Sequence, residues 1–316
     1  MVKSDPPAGK TAKSAITAAF INVDKPQGIT SHDVVHRVRK LTGIKQVGHA
    51  GTLDPMATGV MVVAVGKACR LLRFLEGDKS YLATIKLGLA TDTDDIEGKI
   101  LAENPQAVSD PPDRAAVLAA LSAFKGEIEQ IPPYFSAIHV DGKRLYEMAR
   151  AGLAPPEIKA RPVTIHKLEL VSYEAPDVVI RVHCSKGTYI RSIARDLGLK
   201  LGLGGTLSAL RRESSGRFQI ERSQTVEQLA QEIIPLAIEE ALTMPALTVD
   251  DDTAKKLSMG QKVVTEMTIE QNFDSGENSA EQYILISAAS SKKPFSVCRF
   301  DPAEKLLSPE VVFGDV

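Results

Sequence analysis

The sequence predicts an α+β protein, with one large sheet domain and a small β-rich domain after it. Three observations carry this. Strand-like and helix-like segments interleave without the regular βαβ alternation of a doubly wound sheet. The 316 residues exceed what one hydrophobic core fills, since single cores stop growing near ~250 to 300 residues. Near Pro245 the composition shifts to an acidic, arginine-poor stretch. We therefore expect a flexible tail over residues 1–18, the large domain over 19–244 and the small one over 245–316.

Phe20 to Val23 reads as a short strand ending at the turn Asp24-Lys25-Pro26-Gln27-Gly28. A helix follows with Ser31 as N-cap, its apolar stripe being Val34, Val35, Val38 and Leu41 and its stop Gly43. Gly48 to Gly59, GHAGTLDPMATG, is a loop because its glycines and proline preclude regular structure. Val60 to Val65 is a buried strand; a helix over Lys67 to Leu75 and a strand over Tyr81 to Leu87 come next. A helix over Pro112 to Phe124 precedes a strand at Ser136 to Val140, a turn at Asp141-Gly142 and a helix ending near Gly152. Strands at Val163 to Val171 and Val178 to Cys184 lead to a helix over Thr188 to Leu201. Its stripe of Ile190, Ile193, Ala194, Leu197 and Leu201 leaves Arg191 and Arg195 off the apolar face. In the small domain the strand candidates are Gln282 to Ser287 and Phe295 to Phe300; no internal repeat is evident.

Apolar residues at 43% and charged residues at 25% are ordinary for a globular chain with a sizeable core. Cys69, Cys184 and Cys298 are far apart and form no CxxC pair, which argues against a disulfide framework or a thiolate metal cluster. No apolar run approaches the ~18 residues of a membrane span. The N-terminal stretch lacks a signal-peptide core, has no arginine and carries Asp5, so the expected location is the cytoplasm.

The net charge of −2 hides a strong division. Lys25 to Arg73 carries eight basic and two acidic side chains, and Arg181 to Arg222 nine and three, so each is net +6. Thr91 to Asp113 is net −6, and Thr225 to the end is net −9. Two basic segments brought together by folding would form a polyanion-binding face; ordinary surface charge is the alternative.

Three motifs have weak chemical readings. His32-Asp33-Val34-Val35-His36 is a poor version of the HExxH zinc pattern, with a base one methylene short and no third ligand. Gly66-Lys67 sits like a phosphate loop, but Ala68 replaces the magnesium-binding hydroxyl and Gly59 is too distant. The acidic run Thr91 to Asp95 lacks the spacing of a calcium loop and reads as a solvated turn. Asp54 differs: it lies before Pro55 in a loop whose glycines, Gly48, Gly51 and Gly59, allow close approach of a ligand. An Asp-Pro turn without chemistry is the alternative.

GHAGTLDPMATGVMVVAVGKACR closely resembles the catalytic motif of the TruB family, the bacterial tRNA pseudouridine-55 synthases. DKPQGITSHDVV, KSYLATIKLGLATDTDD, IPPYFSAIHVDGKRLYEMARAG, HCSKGTYIRSIARDLG and LSALRRESSGRF resemble further family blocks in the same order, together spanning Phe20 to Arg222. The resemblance implies a mixed, largely antiparallel sheet flanked by helices around an RNA-binding cleft, and a PUA-like C-terminal domain. It implies isomerisation of uridine-55 in the T-stem-loop of tRNA, without cofactor or metal, by a monomer that needs no obligate protein partner.

By the same resemblance Asp54 is the catalytic carboxylate, Arg191 the arginine paired with it and Tyr81 the aromatic platform for the flipped base. A cation beside a carboxylate favours its charged form. His49 would support the rearranged RNA loop, and Leu210 would line the base pocket. Tyr189 belongs to the same KGTYIR block, as a substrate contact. Lys25, Lys186, Arg211 and Arg212 are candidate phosphate contacts, which would make binding salt-sensitive. His139 stands where the family usually has lysine, and the acidic C-terminal charge weighs against direct RNA binding there. A relative of the guide-RNA-dependent synthases, and a non-catalytic tRNA-binding or tRNA-folding protein, are the competing readings; the set Asp54, Tyr81 and Arg191 weighs against the latter.

Overall fold

The computed structural model describes residues 17–140, 142–265 and 282–316. Most of the expected tail and Asp141 of the expected turn lie outside the described residues. In chain order the elements are β1 (Ala18–Lys25), α1 (Ser31–Thr42), β2 (Val47–His49), β3 (Thr58–Gly66), a 3₁₀ helix (Lys67–Phe74), β4 (Lys79–Leu87), β5 (Leu89–Thr91) and β6 (Ile100–Glu103). Then come α2 (Gln106–Ser109), α3 (Arg114–Ser122), β7 (Gly126–Gln130), β8 (His139–Val140), β9 (Lys143–Arg144), α4 (Leu145–Arg150), β10 (Arg161–Glu174), β11 (Asp177–Cys184), α5 (Ile190–Lys200) and β12 (Gly205–Ser215). The chain continues through β13 (Phe218–Gln219), β14 (Gln224–Thr225), α6 (Val226–Gln231), α7 (Ile238–Ala241), β15 (Ala246–Val249), α8 (Asp251–Ser258), β16 (Val263–Val264), β17 (Gln282–Ala288), β18 (Pro294–Asp301) and β19 (Leu306–Val312).

The first sheet has ten strands, its main path running β14-β1-β3-β12-β4-β11-β10-β7. Only the β1/β14 and β3/β12 pairs are parallel, so the expected mixed, largely antiparallel sheet is present. A second sheet, β15-β17-β18-β19-β16, begins at Ala246. The near-continuous apolar run of β3 follows from burial on both faces. Met61, Val63 and Val65 pack with Val34, Val35 and Val38 of α1, while Val60, Val62 and Ala64 pack with Phe218, with Leu285, Val297 and Val311 of the second sheet, and with Phe313 just after it.

That contact also absorbs opposite charges. From the 3₁₀ helix, Arg73 pairs with Glu310 at 2.5 Å, Arg70 donates to the Val312 carbonyl and Lys67 reaches Asp315. Part of the first basic segment is therefore spent on the acidic C-terminal one, although such exposed pairs contribute only ~0 to 1 kcal/mol each.

Several elements depart from the sequence expectation. The helix expected over Lys67 to Leu75 is present, wound as a 3₁₀ helix over Lys67–Phe74. The strand expected at Ser136 to Val140 is reduced to His139–Val140. Thr30, not Ser31, caps α1: its hydroxyl accepts from the Asp33 backbone N–H while the Asp33 carboxylate accepts from the Thr30 N–H, a complete capping box. Ser31 is buried instead, its Oγ donating to the Leu53 carbonyl at 3.0 Å and accepting from the Leu53 N–H at 2.8 Å. The helix that follows β1 thus holds the loop that carries Asp54.

Gly59 closes the other end of that loop. Its φ of +103° lies in the glycine-favoured region, and a Cβ there would stand 2.2 Å from the Arg212 carbonyl oxygen on the parallel neighbour β12. Gly59→Ala is expected to lower unfolding free energy by about 2 to 4 kcal/mol in urea denaturation, through strain and loss of the β3/β12 junction.

Candidate active site

Asp54 projects from the loop between β2 and β3. Leu53 and Met56 beside it are buried in the core under α5 and α3, so the loop is anchored by its own apolar side chains. Its backbone is tied as well: the Gly28 N–H donates to the Pro55 carbonyl at 2.8 Å, and the Ala57 N–H to the Asp54 carbonyl at 3.1 Å. The Asp54 side chain remains 33% exposed, enough for a substrate to reach it.

Arg191 meets it from the first turn of α5. Its Nε lies 3.0 Å from Asp54 Oδ2, and its Nη2 donates to Oδ1 at 3.4 Å. The rest of the guanidinium is saturated: Nη1 donates to the Thr93 carbonyl at 3.0 Å and lies 3.5 Å from Asp95 Oδ2, and Nη2 donates to the Phe135 carbonyl at 3.0 Å. The Arg191 side chain is only 7% exposed, as is that of Asp95. The expectation that Arg191 lies off the buried face of its helix is therefore corrected. The chain after β7 covers that side of α5, with the Ile131 carbonyl accepting from Ser192 and Arg195 and the Phe135 carbonyl from Arg191.

The acidic run is likewise not a solvated turn. Asp94, at a left-handed φ of 61°, pairs with Arg195 at 2.9 Å, while Asp95 pairs with Arg191. Burial pushes both carboxyls up, against the pull of Arg195 and Arg191 on Asp94 and of the Thr93 hydroxyl and Arg191 on Asp95. Asp94, Asp95, Thr93 and Arg195 are site residues missed by motif reading. Their signal was the net −6 segment facing the net +6 one, a complementarity that only the fold makes specific.

Tyr81 lies on β4 and Leu210 on β12, both buried in the cluster that contains Leu53 and Met56. Burial pushes the Tyr81 phenol up, so it is a neutral hydroxyl, and the positive charge of Arg212 pulls the other way. His49 ends β2 at the start of the Asp54 loop, its Nδ1 accepting from the Gly51 N–H at 3.3 Å; burial lowers its affinity for a proton. Tyr189 caps α5, held by Gln130, whose Oε1 accepts from its N–H and whose Nε2 donates to its carbonyl.

Two candidate phosphate contacts are corrected. Lys25 and Arg212 are fully buried and satisfied by carbonyls. Lys25 Nζ donates to Pro26 at 2.9 Å, Ile29 at 2.8 Å and Pro55 at 3.3 Å; Arg212 donates to Val60 and to Gly51 at 3.2 Å. They brace the Asp54 loop from within. Arg211 is engaged by Asp24, at 2.8 Å and 3.2 Å, and only half-exposed; Lys186 is exposed. His139 is exposed on β8, away from any pairing in the site. His32 and His36 are exposed on α1, and Asp33 between them is committed to the helix cap.

A family model described as "TruB family pseudouridylate synthase (N terminal domain)" matches residues 39–190, and one described as "tRNA pseudouridylate synthase B C-terminal domain" matches residues 191–244. The tRNA pseudouridine synthase B of Thermobifida fusca (strain YX) is 49% identical over 252 residues, 76% of this chain and 85% of its own length. The chain belongs to the TruB family. A second family member, the tRNA pseudouridine synthase B of Gloeobacter violaceus (strain ATCC 29082 / PCC 7421), is 50% identical over 225 residues, 70% of this chain and 73% of its own length. Among solved structures, a chain of "Crystal Structure of a Cbf5-Nop10-Gar1 Complex" aligns with a TM-score of 0.69 at 26% identity, covering 99% of this chain and 91% of that one. A chain of "Structure of H/ACA RNP bound to a substrate RNA containing 2'-deoxyuridine" aligns at 0.68 and 23% identity, covering 99% and 92%, and shares the fold. Among the described residues, no helix is long and apolar enough to cross a membrane.

Two outcomes follow from this geometry. Asp95→Asn keeps the shape but removes the charge that holds the far side of Arg191. It should lower turnover on tRNA ~10-fold or more, about 1.4 kcal/mol of barrier, with little change in tRNA affinity by filter binding. Burial lowers the Lys25 ammonium to about 8, with Asp54 pulling upward. The folded chain then binds that proton less tightly than the unfolded one, so the cost of a charged Lys25 is present at neutral pH. That cost is relieved as pH rises from about 8 towards the ordinary lysine value. Urea unfolding should show the wild type gaining about 1 to 2 kcal/mol on Lys25→Met between pH 7.5 and pH 10.

Proposed function

We propose that this protein isomerises uridine-55 in the T-loop of tRNA to pseudouridine, with Asp54 as the catalytic carboxylate. The observation that carries the reading is the Asp54–Arg191 ion pair, a half-open carboxylate held by a buried guanidinium in a chain of the TruB family. The reaction breaks the bond from sugar C1′ to uracil N1, turns the base and joins C1′ to C5; C5 gives up its proton and the freed N1 takes one. It is redox-neutral and gains no atoms, so the protein's own groups suffice. Asp54 acts as an anion, either attacking C1′ or assisting deprotonation of the sugar.

The target uridine must leave its stack to reach Asp54. Tyr81 then offers an aromatic surface to the base, an interaction worth ~1 to 3 kcal/mol, and Leu210 closes the apolar side. His49 and Tyr189 border the entrance from β2 and α5, and the exposed Lys186 remains a candidate phosphate contact. The division at residues 244 and 245, with a PUA-like unit after it, belongs to the same reading, as do cytoplasmic residence and action as a monomer. Stand-alone action is favoured over guide dependence because identity is 49% to the tRNA pseudouridine synthase B of Thermobifida fusca and 26% to the Cbf5-containing complex.

Release of tritium from an unmodified tRNA transcript labelled at uracil C5 tests the proposal. The wild type should release it without guide RNA, protein partner or added metal. Asp54→Asn should lower release by at least ~10³-fold, and a transcript lacking the T-loop uridine should release none from that site. Tight tRNA binding with no release by the wild type would refute the reading.

A further inference from the structure

Three side chains with metal-ligand chemistry converge outside the cleft: Asp78 just ahead of β4, His166 in β10 and His183 in β11. Each offers one ligand atom, and these atoms lie within 4.8 Å of one another. We propose that Asp78, His166 and His183 bind a divalent transition-metal ion, best matched by Zn²⁺, which clamps the start of β4 to β10 and β11.

The backbone explains why they meet. On β11, Val178, Ile180, Val182 and Cys184 are buried in the core under α5 and α3, so the alternating His183 lies on the opposite face of the sheet. Ser80 of β4 is its register partner. In β10 the pairing with β11 skips from Ile165 to Lys167, and His166, the residue passed over by this bulge, stands with its ring 5.1 Å from that of His183.

The donor geometry fits a metal in three respects. A tetrahedral shell at ~2.0 to 2.1 Å places its ligand atoms roughly 3.3 Å apart. His166 Nε2 and Asp78 Oδ2 are already 3.1 Å apart, and both side chains are exposed enough, at 38% and 48%, to draw in around an ion. Ser80 Oγ lies 3.0 Å from His183 Nδ1; when it accepts that proton, Nε2 is left as the free ligand, the arrangement that commonly orients a metal-binding histidine. Neighbouring cations are engaged elsewhere, Lys167 with Glu169 at 2.8 Å and Arg181 with Glu213 at 2.9 Å. Two imidazoles and one carboxylate, with a fourth position open to water, suit Zn²⁺ rather than Mg²⁺ or Ca²⁺, which take oxygen-rich shells.

Such an ion would bind the folded sheet and not the separated strands, so it stabilises by mass action. It stands apart from Asp54 and takes no part in the isomerisation. The test uses the full chain stripped of metal and titrated with zinc chloride during thermal unfolding, with cobalt(II) as a spectroscopic probe. The wild type should gain at least ~2 °C in Tm and give the visible absorption of a low-symmetry cobalt site. His166→Gln and Asp78→Asn should each abolish both signals while keeping the metal-free Tm. A His32→Ala/His36→Ala variant should keep both signals, separating this site from the exposed pair on α1. The proposal fails if the wild type shows no shift, if the shift survives in His166→Gln and Asp78→Asn, or if it disappears with His32 and His36.

Discussion

Arg191 is the group around which the Asp54 side of this molecule is organised. A guanidinium taken out of water costs several kcal/mol unless its charge and all its N–H groups find partners. Here two carboxylates and two carbonyls meet that demand, and they come from three separate stretches of chain: Asp54 from the β2–β3 loop, Thr93 and Asp95 from the turn after β5, and Phe135 from the segment after β7. Only Asp54 among the two acids is substantially open to solvent. The ion pair therefore presents one carboxylate, in a set orientation, at the end of a loop that is otherwise closed by core packing.

The sheet supplies the rigidity this requires. Gly198 of α5 lies so close to β12 that a Cβ there would be 2.1 Å from the backbone of Gly204 and Gly205, which seats the helix directly on the sheet. The strand β12 in turn carries Arg212, which reaches under the Asp54 loop to the Gly51 carbonyl and is the register partner of Tyr81 on β4. One buried arginine thus ties the carboxylate loop to the strand paired with that of Tyr81, and the other holds the carboxylate. Neither is available to bind phosphate, although both fall in a segment whose net charge is +6.

That contrast marks how far the sequence could be read. The strands were legible because their apolar runs are dictated by burial: β3 is buried on both faces and reads as a continuous run, whereas β4 and β11 alternate. The Asp54 loop was legible through its glycines. What could not be read depended on partners far away along the chain. Thr30 and Ser31 are both competent caps, and the choice turns on Leu53, 22 residues from Ser31. Helical periodicity marks the apolar stripe of α5 but does not reveal that a segment ending near Phe135 buries Arg191 as well. The acidic residues before β6 look solvated until α5 arrives, and Lys25 and Arg212 look like surface charge until their carbonyl partners are in place. Local pattern reports on apolar burial; buried ion pairs require the tertiary structure.

We infer that Arg191 acts by holding Asp54, in a geometry no simple cation reproduces, and not by gripping RNA. Single-turnover measurement of the Arg191→Lys variant on labelled tRNA, with tRNA affinity measured in parallel, tests it most directly. Lysine keeps the charge but cannot donate along the two edges that meet Asp54 and Asp95. The rate should fall at least ~100-fold, with affinity within about threefold of the wild type. An unchanged rate, or a loss accounted for entirely by weaker binding, would contradict it.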